Sequence, residues 1–171
     1  MFVSKFGIVL IGMAGVGKST VGSALAATLG FEFIDLDEYL SRQEGQTIQQ
    51  IIDSRGEEKL LELESESLRK IDLNRKVVSP GGSIVYNPAI MKYLKELSLL
   101  IYLDDTLENI SSRLGNAPTR GIVGLKKKSL RQIYDERRPI YSLYADITVD
   151  VCGKPAKDTV SEIITRIPKI W

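Results

Sequence analysis

Gly12-Met13-Ala14-Gly15-Val16-Gly17-Lys18-Ser19-Thr20 fits the pattern G-x-x-x-x-G-K-[ST] and lies between an apolar run and a run of helical periodicity. That setting is what the pattern requires, because a phosphate-binding loop leaves a strand and opens a helix. Upstream, Gly7-Ile8-Val9-Leu10-Ile11 reads as a buried parallel strand; downstream, Val21, Ala24, Leu25 and Leu29 recur at helical spacing until Gly30 closes the helix. The glycines let successive N–H groups turn toward phosphate oxygens, and the helix N-terminus behind them adds partial positive charge. Gly12, Gly15, Val16, Gly17, Lys18, Ser19 and Thr20 are therefore the candidate nucleotide-binding residues. In that setting Lys18 neutralises the outer phosphates and the Ser19 hydroxyl is a candidate Mg²⁺ ligand.

The 171 residues suit one domain with a real core, and 43% hydrophobic with 26% charged residues is ordinary globular composition. Lys and Arg number 23 against 22 Asp and Glu, a net charge of +1, so no bulk field points to nucleic acid or a membrane surface. A small-molecule partner is expected. The one cysteine, Cys152, cannot form an internal disulfide and reads as a structural residue near a strand end; with no histidine there is neither a Cys/His metal cluster nor an imidazole base. No apolar run approaches the roughly 18 residues of a membrane span, and Met1-Phe2-Val3-Ser4-Lys5-Phe6 lacks the regions of a signal peptide, so a cytoplasmic protein is expected.

Strand-like segments at 7–11, 32–35, 76–79, 99–103 and 146–150 alternate with helical patterning over 19–29, 57–71, 88–97, 106–114, 129–144 and 157–167. Such alternation predicts an α/β domain with a mostly parallel sheet. Asn87-Pro88 supplies a cap and first-turn pair, and 115–128, rich in glycine and lysine, reads as a mobile surface loop. In open α/β sheets ligands bind at the carboxyl ends of strands. After the second strand comes Asp35-Leu36-Asp37-Glu38, two acids suited to one metal-linked carboxylate and one that takes a hydroxyl proton, although Asp37 could equally cap a helix from Glu38 to Arg42. After the third comes Ser79-Pro80-Gly81-Gly82-Ser83, whose paired glycines allow close backbone approach. The fourth strand ends in Asp104 and Asp105, superficially like the acid strand of motor-type ATPases, but Asp105-Thr106 sits where a helix cap is expected. No N-K-x-D run of a guanine-specific switch is present.

Together with the phosphate loop and the pair Asp35 and Asp37, three further stretches carry a family resemblance. They are Arg42 to Gly56 (R-Q-E-G-Q-T-I-Q-Q-I-I-D-S-R-G), Arg113 and Arg120 seven residues apart, and Glu136-Arg137-Arg138-Pro139-Ile140-Tyr141. With Gly81-Gly82 included, the chain resembles shikimate kinases over essentially its whole length. The resemblance implies a single domain over 1–171 with the three-layer P-loop kinase fold. Its five-stranded parallel sheet has order 2-3-1-4-5, flanked by helices, with a mobile lid at about 115–128. It further implies transfer of the γ-phosphoryl group of MgATP to a ring hydroxyl of shikimate by a cytoplasmic monomer in aromatic amino-acid biosynthesis. Carried over residue by residue, Lys18, Asp37 and Arg120 are catalytic; Arg113 and Arg120 join the P-loop in binding ATP; Ser19 and Asp35 hold Mg²⁺. Asp37, Gly81, Gly82, Ser83 and Arg137 bind the acceptor, Arg137 through its carboxylate.

The departures are specific. Leu61 stands where the family carries a second carboxylate-binding arginine, Ser83 replaces a third glycine, and the lid reads Arg120-Gly121-Ile122-Val123 instead of Arg-Pro-Leu-Leu. Truncating a charge-assisted pair to a buried carboxylate costs about 2–5 kcal/mol, a roughly 30-fold to several-thousand-fold loss of affinity. Arg55 and Lys59 are the nearby cations able to compensate. Otherwise the acceptor is a different, uncharged polyol, or the chain is a nucleotide-binding module without catalysis. Leu61 can also be read as part of an apolar helix stripe with Leu60, Leu68 and Ile71.

Overall fold

The computed structural model describes residues 7–115 and 121–168. The segment Met1 to Phe6 and the expected lid arginine, Arg120, lie outside the described residues. Five parallel strands, β1 (Gly7–Ile11), β2 (Glu32–Asp35), β3 (Lys76–Ser79), β4 (Ser98–Asp104) and β5 (Ile147–Asp150), form one sheet of order β2-β3-β1-β4-β5. Every residue of β1 is buried, as expected of a central parallel strand covered on both faces. The register aligns the functional ends: Asp35 of β2 pairs with Ser79 of β3, while Val9 of β1 pairs with both Val78 and Leu100.

Helices α1 (Lys18–Leu29), α4 (Glu57–Lys70), α5 (Pro88–Leu97), α6 (Leu107–Leu114), α7 (Leu130–Tyr144) and α8 (Ala156–Arg166) fall where the periodicity places them, within a residue or so at each end. Their ends carry the expected chemistry. Asn87 caps α5, Thr106 caps α6, and Ser129 closes a capping box on α7. Gly30 ends α1 in the left-handed region.

Three features differ from expectation. The helix after β2, α2 (Leu36–Glu44), begins at Leu36 rather than Glu38, and its cap is Asp35, which accepts from the N–H groups of Asp37 and Glu38. Asp37 is thus free of capping duty. A further helix, α3 (Ile48–Arg55), is opened by a Thr47–Gln50 capping box and buries Ile48, Ile51 and Ile52. Finally, the described part of the glycine- and lysine-rich loop is tied down. Gly121 N–H donates to Gln49, Gly124 N–H to Glu57 at 2.6 Å, Lys126 pairs with Asp53, and Val123 is buried.

Candidate active site

The nucleotide end of the site is built by the turn between β1 and α1. Gly17 holds φ at 103°, a conformation that a Cβ would strain, and directs the chain into α1. Lys18 is 9% exposed and donates from Nζ to the carbonyls of Gly12 (2.8 Å) and Met13 (3.0 Å), so its ammonium is held across the loop. Burial lowers its pKa to about 8, against the opposing pull of Asp37 and Asp35. In front of it opens a cleft of about 590 Å³, lined by Gly15, Gly17 to Thr20, Asp35, Asp37, Gly81, Gly82 and Arg113. This volume lies in the range of small-molecule sites.

Asp35 and Asp37 both face the cleft, though not as neighbours along a strand. Asp35 is the last residue of β2 and Asp37 lies in the first turn of α2. Ser19 Oγ donates to Asp35 Oδ2 at 2.5 Å. A hydroxyl beside a carboxylate is an all-oxygen donor set of the kind a hard cation such as Mg²⁺ accepts, with phosphate and water completing its shell. Among the described residues no group of three or more acids, cysteines or histidines gathers into a metal cage. Asp37 has its pKa pushed up to about 6, chiefly by burial and next by the charge of Asp35, with Lys18 pulling the other way. It therefore sits in the range useful for a general base.

Behind the cleft lies a second, contracted pocket of about 30 Å³, roughly the volume one water occupies. Asp37, Gly81 and Gly82 belong to both cavities; Ser83, Glu64, Val123 and Arg137 line the inner one. Arg137, on α7, is 1% exposed, donates to the Tyr86 hydroxyl at 3.2 Å and to the Val123 carbonyl at 2.7 Å, and lies over the Tyr86 ring. It is the one cation lining this pocket among the described residues.

Glu64 was given no role from the sequence, although a glutamate three residues after position 61 fits the family pattern. It occupies the buried face of α4 with Leu60, Ser67 and Leu68, is 1% exposed, and its Oε2 has no hydrogen-bond partner among the described residues. Burial, followed by the charge of Asp37, pushes its pKa up to about 8, while Arg137, the Gly81 N–H and Lys18 act to lower it. Gly81 is required beside it, because a Cβ there would lie 2.2 Å from Glu64 Oε1. An acid at a stripe position four residues from both Leu60 and Leu68 was a second signal.

Neither cation offered as a substitute for the missing arginine reaches the pocket. Arg55 pairs with Glu44 at 2.6 Å and Lys59 with Glu62 at 2.6 Å, both at the surface. Leu61 is half-buried and lies outside the buried stripe of α4 and outside the residues that line the pocket. Arg113 reaches the cleft but spends its charge on Asp105 at 2.6 Å and also donates to the Gly15 carbonyl. The motor-ATPase reading of Asp104 and Asp105 fails for a local reason. Asp104 pairs with Arg138, and Asp105 accepts from Asn109 and from the N–H of Thr106. Cys152 is exposed just beyond β5 and accepts from Asn109.

Comparison with known proteins agrees with this fold. Residues 14–168 match the family model described as shikimate kinase. The shikimate kinase of Persephonella marina is 34% identical over 161 residues, 94% of this chain and 98% of that protein. The structure of shikimate kinase from Acinetobacter baumannii in complex with shikimate superposes with a TM-score of 0.87 at 28% identity, covering 96% of this chain and 93% of the other. That from Aquifex aeolicus gives 0.77 at 34% identity, covering 92% and 93%. With the family model matched over most of its length and relatives above 30% identity covered almost end to end, the chain belongs to the shikimate kinase family, a family of ATP-dependent phosphotransferases.

Proposed function

We propose that this chain transfers the γ-phosphoryl group of MgATP to a ring hydroxyl of shikimate. Asp37 carries this reading, as the one acid among the described residues that lines both the nucleotide cleft and the inner pocket. With phosphates on the loop and the acceptor in the inner pocket, Asp37 orients the hydroxyl and takes its proton. The hydroxyl oxygen then forms its bond to the γ-phosphorus, and the bond from that phosphorus to the bridging oxygen of departing ADP breaks. Lys18 balances the charge on the outer phosphates, a task of electrostatic stabilisation. Ser19, and Asp35 through water, would hold Mg²⁺, which when bound neutralises charge shared between the β- and γ-oxygens.

Arg137 pairs with the acceptor carboxylate, and Gly81, Gly82 and Ser83 close round its ring. The bound shikimate in the Acinetobacter baumannii relative supports this substrate. Since the inner pocket holds about 30 Å³, acceptor entry has to displace 121–123, including the Val123 carbonyl on Arg137. The segment 115–128 thus acts as a lid that excludes water once closed, bringing Arg120 to the transferring phosphate, with Arg113 bordering the adenine. We place the enzyme in the cytoplasm as a monomer; no described helix is long and apolar enough to cross a membrane.

The lone cation of the inner pocket favours a second reading, phosphorylation of an uncharged polyol. A coupled ATP-consumption assay with shikimate and a panel of polyols decides between them. Saturable turnover with shikimate is expected; turnover confined to uncharged polyols would replace the substrate.

A further inference from the structure

Glu64 is a buried acid facing the acceptor pocket with a hydrogen bond still to make. Its Oε2 is buried and without a hydrogen-bond partner among the described residues, and the carboxyl lines the pocket beside Asp37, Gly81, Ser83 and Arg137. The charged and titratable groups that act on it are Lys18 from α1, Asp37 from α2, and Arg137 and Tyr141 from α7, together with the N–H of Gly81. Along α4 itself there is no help. Residues three apart on a helix are neighbours, yet position 61 carries an uncharged leucine, and Lys59 is turned to Glu62 at the surface.

A carboxyl withdrawn from water with an aspartate facing it keeps its proton where these outweigh Arg137, the Gly81 N–H and Lys18, and its pKa of about 8 accords with that geometry. A protonated carboxyl is a hydrogen-bond donor as well as an acceptor. Here that donor lacks an acceptor among the described residues, a condition with a desolvation cost until a ligand oxygen relieves it. The oxygen best suited is anionic, because Arg137 stands in the same small pocket.

We infer that Glu64 is a specificity-determining residue which, in its protonated form, donates from Oε2 to the carboxylate of the acceptor alongside the Arg137 guanidinium. This rests on the proposed hydroxy-acid acceptor. The clamp on the acid is then one guanidinium and one neutral carboxyl. Loss of the Glu64 proton removes the donor and sets a negative charge against the ligand, so recognition of the acid, and only of the acid, depends on that proton.

The test is the acceptor KM between about pH 6.5 and about pH 9.5 at saturating MgATP, with kcat read separately, for shikimate and for its uncharged carboxamide. In the wild-type enzyme the KM for shikimate rises above about pH 8, approaching tenfold per pH unit, while the KM for the carboxamide stays flat. Glu64→Gln keeps a donor in the same place with no proton to lose; its shikimate KM near neutrality stays within about threefold of wild type and no longer rises. Glu64→Leu lacks the donor, and its shikimate KM is at least about tenfold higher near neutrality, an effect a purely structural role would not confine to the charged acceptor. A flat wild-type KM for shikimate, the same rise in Glu64→Gln, or a rise shared by the carboxamide overturns the role of Glu64 while leaving shikimate as substrate. Turnover of uncharged polyols with none of shikimate at any pH overturns both.

Discussion

The Ser19 hydroxyl donates to Asp35 Oδ2 at 2.5 Å, while Asp35 Oδ1 accepts from the N–H groups of Asp37 and Glu38, so one carboxylate joins the phosphate loop to the start of α2. These two tasks are separable by substitution. Asparagine caps a helix about as well as aspartate, whereas alanine forfeits about 1 kcal/mol. Asp35→Ala therefore lowers Tm and Asp35→Asn largely preserves it. Both raise the Mg²⁺ concentration for half-maximal rate by at least about tenfold, as loss of a metal-site carboxylate does. Wild-type Mg²⁺ dependence in Asp35→Asn would remove Asp35 from the metal site.

Lys18 lines the nucleotide cleft and Asp37 lines both cavities, and the work proposed for each is done in the transition state. Lys18→Ala and Asp37→Ala are expected to lower kcat by at least about 100-fold with the fold retained by circular dichroism. Asp37→Ala should leave the KM for MgATP close to wild type, because the acid faces the accepting hydroxyl. Near-normal kcat in Asp37→Ala would remove the proposed base.

The frame of the protein was readable because its signals are local and repeated. Apolar runs mark the central parallel strands, a phosphate-loop pattern fixes the first turn, and Asn87-Pro88, Thr106 and Ser129 mark helix starts. Helix α3 went unread although Thr47 and Gln50 announce its start, since eight residues with three buried isoleucines give little periodicity. What could not be read depends on tertiary contact. The burial of Val123 among glycines and lysines, and its carbonyl on Arg137, follow from how the chain returns over α3. The alignment of Asp35 with Ser79, which brings Gly81 against Glu64, is likewise a property of strand order rather than of any window of sequence.

Gly81 and Glu64 are coupled by contact. A Cβ at position 81 would lie 2.2 Å from Glu64 Oε1, so Gly81→Ala is expected to destabilise the fold by about 1–3 kcal/mol, the range for overpacking. Glu64→Ala removes the group that the methyl would strike. Denaturant unfolding of the two single variants and the double variant should give a coupling of about 1 kcal/mol or more. Strictly additive losses would mean that the clash is relieved elsewhere.

Stability should carry the signature of the buried acid in its pH dependence. The Glu64 pKa is raised from 4.5 to about 8, so between those values the folded protein binds a proton that the unfolded chain has released. Its contribution is fully present below the unfolded value, declines as pH rises through the window, and is lost by about pH 8. Glu64→Gln cannot titrate. The Tm of Glu64→Gln minus that of wild type should therefore grow from about pH 5 to about pH 8 and then level off, with the other carboxylates cancelling in the difference. A difference independent of pH would mean that Glu64 is ionised in the folded protein.

Leu61→Arg supplies the cation that α4 lacks. From position 61 an arginine is three residues before Glu64, the spacing of neighbours along a helix, and Leu61 is only half-buried, so the longer side chain can be accommodated. A guanidinium there offsets the charge that Glu64 acquires on ionising and supplies its own donors to an acceptor carboxylate. The shikimate KM should fall by about tenfold or more and lose its alkaline rise, while the KM for the carboxamide changes by less than about threefold. Parallel effects on the acid and the carboxamide would place the new arginine away from the acceptor carboxylate and would separate position 61 from its recognition.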